Sequence, residues 1–306
     1  MQGVYSVLPT PFARNTDIDH DSLRRVVDLA IAAGVDGLTA LGVTSEAARF
    51  TESERAQVMD TILTHVAGRV PVVVAATADG LRTCITYARQ AKAAGAARVM
   101  VSPPRLPKLN SDAVVRHYAA LADAVDLPIV VQDYPPISGF AMEPWLLARI
   151  AQEVPSARTI KLEDPPTPFK TARILERTGD VPVSIFGGLG GVFLLEELMA
   201  GAAGAMTGFA YPEALVRIVR HYQSGAVDRA SDLFYRLVPL MRFEFQEGIG
   251  MAIRKEVLRR RGALTDASTR APGATLDAGT LTALDRLLRW TATEVSTLEG
   301  ASWISV

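Results

Sequence analysis

The chain has almost no cysteine, few lysines and no long apolar run, and each shortage closes off a class of protein. Cys84 is the only cysteine, so no internal disulfide can form, and a reducing compartment is the natural reading. No apolar stretch approaches the roughly 20 residues that span a bilayer. The segment Met1–Pro9 lacks the basic and apolar regions of a secretory leader. A cytoplasmic location is expected. An excess of one charge is also missing: 32 basic residues face 33 acidic ones, a formal net charge of -1. Nothing in that balance points to nucleic acid or a membrane surface as a partner. His20, His65, His117 and His221 are scattered at unhelpful spacings, so no metal site is expected. There is no P-loop, and no dinucleotide fingerprint follows the first strand. The chemistry is therefore expected to need no metal and no bound cofactor.

What is present is a repeat. The 306 residues are 49% hydrophobic, enough for a large core. A short apolar run recurs about every 30 residues, eight times in all: Val4–Leu8, Gly37–Leu41, Val70–Ala75, Arg98–Val101, Pro128–Gln132, Thr159–Leu162, Val183–Phe186 and Gly204–Thr207. Continuous segments such as Val72-Val73-Val74-Ala75-Ala76 suit strands buried on both faces of a parallel sheet. Amphipathic stretches lie between them. In Asp21–Ala33, Leu23, Val26, Val27 and Ile31 share one face, with Gly34 as the stop. Eight strand-then-helix units of even spacing predict an α/β fold, a closed (β/α)₈ TIM barrel, over an open doubly wound sheet. The barrel is expected over residues 1–222. A small helical C-terminal extension is expected over 223–306, interrupted by a polar break at Gly262–Gly279.

The five lysines are Lys92, Lys108, Lys161, Lys170 and Lys255. Four have bland readings: Lys92 on an amphipathic helix, Lys108 in a Pro-rich loop, Lys170 opening a helix, and Lys255 on a solvated face within Arg254-Lys255-Glu256. Lys161 differs because it lies at the end of the sixth strand. Active sites of such barrels lie at the C-terminal ends of the strands. Burial disfavours a charged amine, and a neutral amine attacks a carbonyl carbon. The other reading of Lys161 is a structural residue paired with Glu163 or Asp164.

Several further stretches carry a resemblance. They are Leu8-Pro9-Thr10-Pro11-Phe12, Ile18-Asp19, Gly34-Val35-Asp36-Gly37-Leu38, Leu41-Gly42-Val43-Thr44-Ser45-Glu46 and Thr51-Glu52-Ser53-Glu54-Arg55, in that order. Together they resemble the dihydrodipicolinate synthase / N-acetylneuraminate lyase family over about Gly3 to Pro212. The resemblance implies a lyase that holds a 2-oxo acid as an imine on a lysine ending strand six, which matches Lys161. It also implies that the turn after strand two, with Thr44 and Ser45, binds the substrate carboxylate. A helix cap is the plainer role for both residues. A homotetramer and a small-molecule 2-oxo acid partner are implied in the same way.

Strand five departs from the family pattern. Gln132 stands at the position of the family's relay tyrosine, and Tyr134 follows two residues later, on the same face if the strand continues. The proton relay is expected at either Tyr134 or a water held by Gln132. Ile137 stands where true synthases carry an arginine, and Ser102-Pro103-Pro104-Arg105 replaces their Pro-Tyr-Tyr. Ile160–Pro166, Ile185–Gly191 and Met206–Glu213 are instead similar to dehydratases of 2-keto-3-deoxy sugar acids such as 2-keto-3-deoxyarabonate. Gly188, in the run after strand seven, and Thr207, ending strand eight, are added as substrate-binding candidates. A tight turn is the plainer role for the glycine run. Two alternatives stay open: a pyruvate-dependent aldolase or synthase, and a catalytically silent protein that only binds a 2-oxo acid.

Overall fold

A computed structural model of the chain describes residues 1–304. Eight strands alternate with helices: β1 (Gly3–Val7), α1 (His20–Ala32), β2 (Gly37–Ala40), α2 (Glu52–Val66), β3 (Val72–Ala75), α3 (Leu81–Ala93), β4 (Arg98–Val101), α4 (Ser111–Ala124), β5 (Ile129–Asp133), α5 (Pro135–Ser138), α6 (Pro144–Glu153), β6 (Thr159–Leu162), α7 (Thr167–Thr178), β7 (Ser184–Gly187), α8 (Leu194–Met199), β8 (Gly204–Thr207) and α9 (Pro212–Gln223). Three longer helices follow: α10 (Val227–Glu244), α11 (Gly250–Arg260) and α12 (Ala278–Glu299). The strands pair in parallel in sequence order, and β8 pairs with β1 to close the barrel. Each strand starts within two residues of the apolar run that predicts it. The reason is physical: a strand covered by helices outside and side chains inside needs an unbroken apolar run.

Local signals set the helix starts. Asp19 accepts the Ser22 N–H at 2.9 Å ahead of α1. Thr51 and Glu54 form a reciprocal capping box ahead of α2. Asn110 and Asp277 cap α4 and α12 one way, their side chains accepting the Ala113 and Thr280 N–H groups. Beyond the eighth unit, α10 packs against α9 and α12, and α11 packs against α10.

Three sequence expectations need correction. Tyr134 does not continue the strand beside Gln132. β5 ends at Asp133, and Tyr134 precedes the single helical turn α5. Pro135 and Pro136 have no N–H to donate to a ladder, and their fixed φ suits the first turn of a helix. Lys255 is not on a solvated face: it is fully buried, with Arg254 and Glu256 buried beside it. Lys170 stands near the start of α7 as expected, but its role is not bland: it is buried between Asp133 and Asp164. Charge pattern along the chain could not reveal this, because the partners that cover these lysines come from distant segments.

The β1–β8 seam is made by glycine. A Cβ on Gly204, whose φ is +151°, would stand 1.8 Å from the carbonyl oxygen of Gly3. The backbones approach too closely there for any side chain. Gly204→Ala is therefore expected to open the seam and lower the thermal midpoint, at a cost of at least about 1–3 kcal/mol. A calorimetric scan of the variant with an unchanged midpoint would refute this account of closure.

Candidate active site

The C-terminal ends of the strands surround a cavity of about 690 Å³, within the range of small-molecule sites. The loop after β2 supplies one wall. Leu41 and Glu46 both have φ of +60°, a left-handed conformation uncommon in residues other than glycine. Ser45 Oγ donates to the Leu8 carbonyl at 2.6 Å and ties this loop to the end of β1. Ser45 is thus committed to structure. The Thr44 hydroxyl oxygen next to it is buried without a hydrogen-bond partner, and Thr44 lines the cavity.

Lys161 is 3% exposed and lies beside Gln132 in the β5–β6 register. Its Nζ is 3.0 Å from Glu163 Oε1. Glu163 Oε2 accepts from Gln132 Nε2 at 2.6 Å, and Gln132 Oε1 accepts from Ser102 Oγ at 3.1 Å. A continuous polar chain, Lys161–Glu163–Gln132–Ser102, therefore crosses the ends of β6, β5 and β4. Glu163 forms part of the cavity wall. The two readings of Lys161 merge: it is ion-paired, and its partner faces the cavity. Tyr134 lines the same cavity, half-buried. Burial, and secondarily the Glu163 charge, raises its pKa above the ordinary phenol value, so its hydroxyl keeps its proton at neutral pH. Gln132 itself lines a smaller adjoining cavity of about 280 Å³, which shares Val43 and Ala48 with the main one.

The glycine turn after β7 serves this arrangement. A Cβ on Gly188 would fall 2.4 Å from Glu163 Cγ, so the missing side chain is the space in which Glu163 packs. Thr207 Oγ1 donates to the Gly188 carbonyl at 2.8 Å and accepts the Gly190 N–H at 2.9 Å. Gly188 and Thr207 thus stand together as a brace behind Glu163.

Buried ion pairs hold the rim. Lys170 Nζ bridges Asp133 at 2.5 Å and Asp164 at 2.8 Å, linking the ends of β5 and β6 to α7. Burial pushes the Asp133 carboxyl up to about 6, against the pull of Lys170. Lys255 Nζ is 2.5 Å from Glu46 Oε1, donates to the Ser268 carbonyl at 2.9 Å, and sits over the Phe12 ring. Burial lowers its pKa to about 8, opposed by Glu46. Glu244 and Arg254, from α10 and α11, pair at 2.5 Å and both line the main cavity. Among the described residues no group of three or more His, Cys, Asp or Glu could hold a metal ion. Among the described residues no helix is long and apolar enough to cross a membrane.

Sequence reasoning did not assign roles at the cavity to Glu163, Ser102, Glu244 or Arg254. One signal was available for Glu163: it lies two residues after Lys161, the spacing that shares a face in extended chain. None was available for the helix residues, whose approach to the mouth depends on how α10 and α11 fold back.

A lysine ion-paired at the open end of a closed eight-stranded barrel, beside a cavity in which Glu163, Asp164, Thr44 and Tyr134 stand among apolar residues, marks a barrel enzyme that takes a small molecule. The model of the dihydrodipicolinate synthetase family matches residues 1–290, and the chain belongs to that family of Schiff-base lyases. It is 35% identical over 277 residues to an L-2-keto-3-deoxyarabonate dehydratase of Azospirillum brasilense, covering 89% of this chain and 88% of that protein. It is 31% identical to a 4-hydroxy-tetrahydrodipicolinate synthase of Haloarcula marismortui, covering 85% and 84%. The crystal structure of dihydrodipicolinate synthase from Rhodopseudomonas palustris superposes with a TM-score of 0.89 at 34% identity, covering 95% of this chain and 97% of that one.

One group behind the site makes a testable prediction. Glu197 on α8 is buried, accepts from Thr167 Oγ1 at 2.5 Å, and fills the space where Gly187 has no Cβ. Burial raises its pKa from 4.5 to about 7, with smaller upward pushes from Glu196 and Glu163. The native state then holds the proton more tightly than the unfolded chain. The stability this gives is complete below pH 4.5 and is lost as pH rises through about 7. Glu197→Gln, which cannot ionise, is expected to gain thermal midpoint relative to wild type between pH 5 and pH 8. A difference that stays constant across that range would show that Glu197 is ionised throughout.

Proposed function

We propose that the protein dehydrates a 2-keto-3-deoxy sugar acid, with Lys161 as the imine-forming nucleophile. The observation that carries this reading is the Lys161–Glu163–Gln132 chain beside the cavity. It gives the lysine a carboxylate neighbour within proton-transfer distance. The likeness to the Azospirillum brasilense dehydratase supports the substrate class.

The steps follow from the geometry. Lys161 in its free-amine form, after passing its proton to Glu163, attacks the ketone carbon C2. The resulting carbinolamine loses water, its oxygen leaving with one proton from the nitrogen and with the proton that Glu163 had taken, and becomes a cationic imine beside a Glu163 that is again a carboxylate. That charge acidifies the C3 hydrogens. Glu163, 3.0 Å from the nitrogen that becomes the imine, takes one of them and leaves an enamine. The enamine pushes electrons toward C4, and the C4 hydroxyl departs as a second water on receiving a proton from Glu163 or Tyr134. Gln132 orients Glu163 by donating to its other oxygen. Hydrolysis of the imine releases the unsaturated 2-oxo acid and restores the amine. The unpaired Thr44 hydroxyl donates to the substrate carboxylate and fixes its orientation. Ser45 holds the loop that presents Thr44. Gly188 acts by giving Glu163 its space, and Thr207 acts by holding the Gly188–Gly190 backbone.

The relay in this reading is Glu163 with Gln132 behind it, and Tyr134 serves the leaving group. A carbon–carbon lyase or synthase shares the first half of the path, and the likeness to 4-hydroxy-tetrahydrodipicolinate synthases favours it as the second reading. The two part at the enamine.

Three measurements test this. Sodium borohydride with pyruvate should fix a stable adduct on the Lys161 peptide, absent in Lys161→Ala. Incubation with 2-keto-3-deoxyarabonate should yield a product lighter by one water; release of pyruvate instead would move the protein to the second reading. Glu163→Gln should lower kcat by about 10²–10⁴-fold while the pyruvate adduct still forms. A protein that traps pyruvate but converts no 2-keto-3-deoxy acid and no pyruvate–aldehyde pair would be a binder only, and the dehydratase proposal would fall.

A further inference from the structure

The main cavity is covered on one side by α10 and α11, which lie outside the eight strand–helix units. These helices bring Arg254 to the mouth. Its side chain is 5% exposed. Nε donates to Glu244 Oε1 at 2.5 Å, and both Glu244 oxygens also accept from the Ala210 N–H, at 3.1 and 3.2 Å. The other end of the guanidinium is different: Nη1 is buried and has no hydrogen-bond partner. It lies where Gly208 lacks a side chain, since a Cβ there would fall 2.1 Å from Nη1 and 3.1 Å from the Val7 carbonyl oxygen. Nη1 is thus set between the ends of β8 and β1, and Arg254 contributes to the cavity wall.

A buried donor of a charged group left without an acceptor is costly, and such groups are usually found with a partner. The acceptor is expected from whatever fills the cavity. Its charge can be argued as well. Arg254 is already matched by Glu244, and Arg49 is committed to Glu46 and to the Pro272 carbonyl. On the same wall Glu163 and Asp164 are already paired with Lys161 and Lys170, and Glu247 adds a further acidic group. A second carboxylate on the ligand would meet Glu247, with every described cation of the wall already paired to a carboxylate. A neutral oxygen suits the site.

We propose that Arg254 is the specificity residue for the far end of the substrate, with Nη1 donating to a hydroxyl oxygen on the tail of a 2-oxo acid whose ketone is held at Lys161. The inference rests on the dehydratase reading for the identity of that acid. A 2-oxo acid reaching from Lys161 to the β8–β1 gap carries its hydroxyl at the end remote from the ketone. Discrimination among acids of this class then comes from the C-terminal helices, while the barrel supplies the imine chemistry.

The test compares two acids that differ only in the tail: 2-keto-3-deoxyarabonate and 4-hydroxy-2-oxopentanoate, which keeps the C4 hydroxyl and lacks the one on C5. Wild type is expected to favour the first by about 10–100-fold in kcat/KM, the span of one hydrogen bond to a charged donor. Arg254→Lys keeps a cation against Glu244 but lacks the forked nitrogen, and should bring the ratio close to one, chiefly through KM. The pair Arg254→Met with Glu244→Gln removes the buried charges together and guards against misfolding of either single change. Circular dichroism and borohydride trapping with pyruvate verify that each variant retains its fold and its imine. If neither acid is turned over, the same ratio is read from their competition with pyruvate for trapping. Failure of turnover then counts against the dehydratase reading, and the ratio alone judges Arg254. A wild-type ratio near one, or a ratio unchanged in both variants, overturns the proposal.

Discussion

The Lys161–Glu163 pair is the interaction around which the rest of the mouth is organised. Two opposite charges 3.0 Å apart, both almost wholly removed from water, are stable only if their remaining donors and acceptors are used. Gln132 occupies the second Glu163 oxygen, and Ser102 fixes the Gln132 amide. Gly188 gives up its side-chain volume so that Glu163 can lie against backbone, and Thr207 locks that backbone in place. Residues from β4, β5, β6, β7 and β8 are therefore tied to one ion pair. Disturbing any of them leaves a buried charge with less to hold it.

The same logic recurs around the rim. Asp133, Lys170 and Asp164 join β5, β6 and α7; Glu46 and Lys255 join the β2 loop to α11; Glu244 and Arg254 join α10 to α11. Each is a buried pair that joins separate elements, and the Asp133–Lys170 and Glu46–Lys255 pairs join segments far apart in sequence. Ionic contacts of this kind contribute little net stability compared with apolar packing, yet removing one partner is strongly unfavourable. Their effect is positional: they set the loops at the strand ends to one geometry. The left-handed Leu41 and Glu46 fit this picture, because backbone strain persists only where surrounding contacts over-determine it. Preorganised polar groups are what catalysis at a carbonyl requires.

The departures from the pattern that the resemblance implies lie after strand four, at Ser102–Arg105, and at the end of strand five. Gln132 stands where a relay tyrosine is usual, and the carboxylate of Glu163 lies within hydrogen-bond reach of both Gln132 and Lys161. Tyr134 follows the last residue of β5 and directly precedes the single helical turn that Pro135 and Pro136 open.

The barrel was legible because its signal is local. Eight apolar runs at even spacing, caps such as Asp19 and Thr51, and helix stops such as Gly34 each act over a few residues, and the physics of burying both sheet faces leaves few architectures for them. Lys161 was legible because strand position alone carries a residue to the mouth. Tyr134 was misplaced because Pro-Pro overrides the alternation of the strand before it, and Lys170 and Lys255 because burial of a charge depends on partners dozens to hundreds of residues away. Tertiary structure alone decided that Gln132 would join the Lys161–Glu163 pair, that Ser45 would serve the loop while Thr44 kept a free hydroxyl, and that Arg254 would reach the cavity. Periodicity determines which face of an element is apolar; only closure of the barrel and the folding back of α10 and α11 determine which polar groups meet.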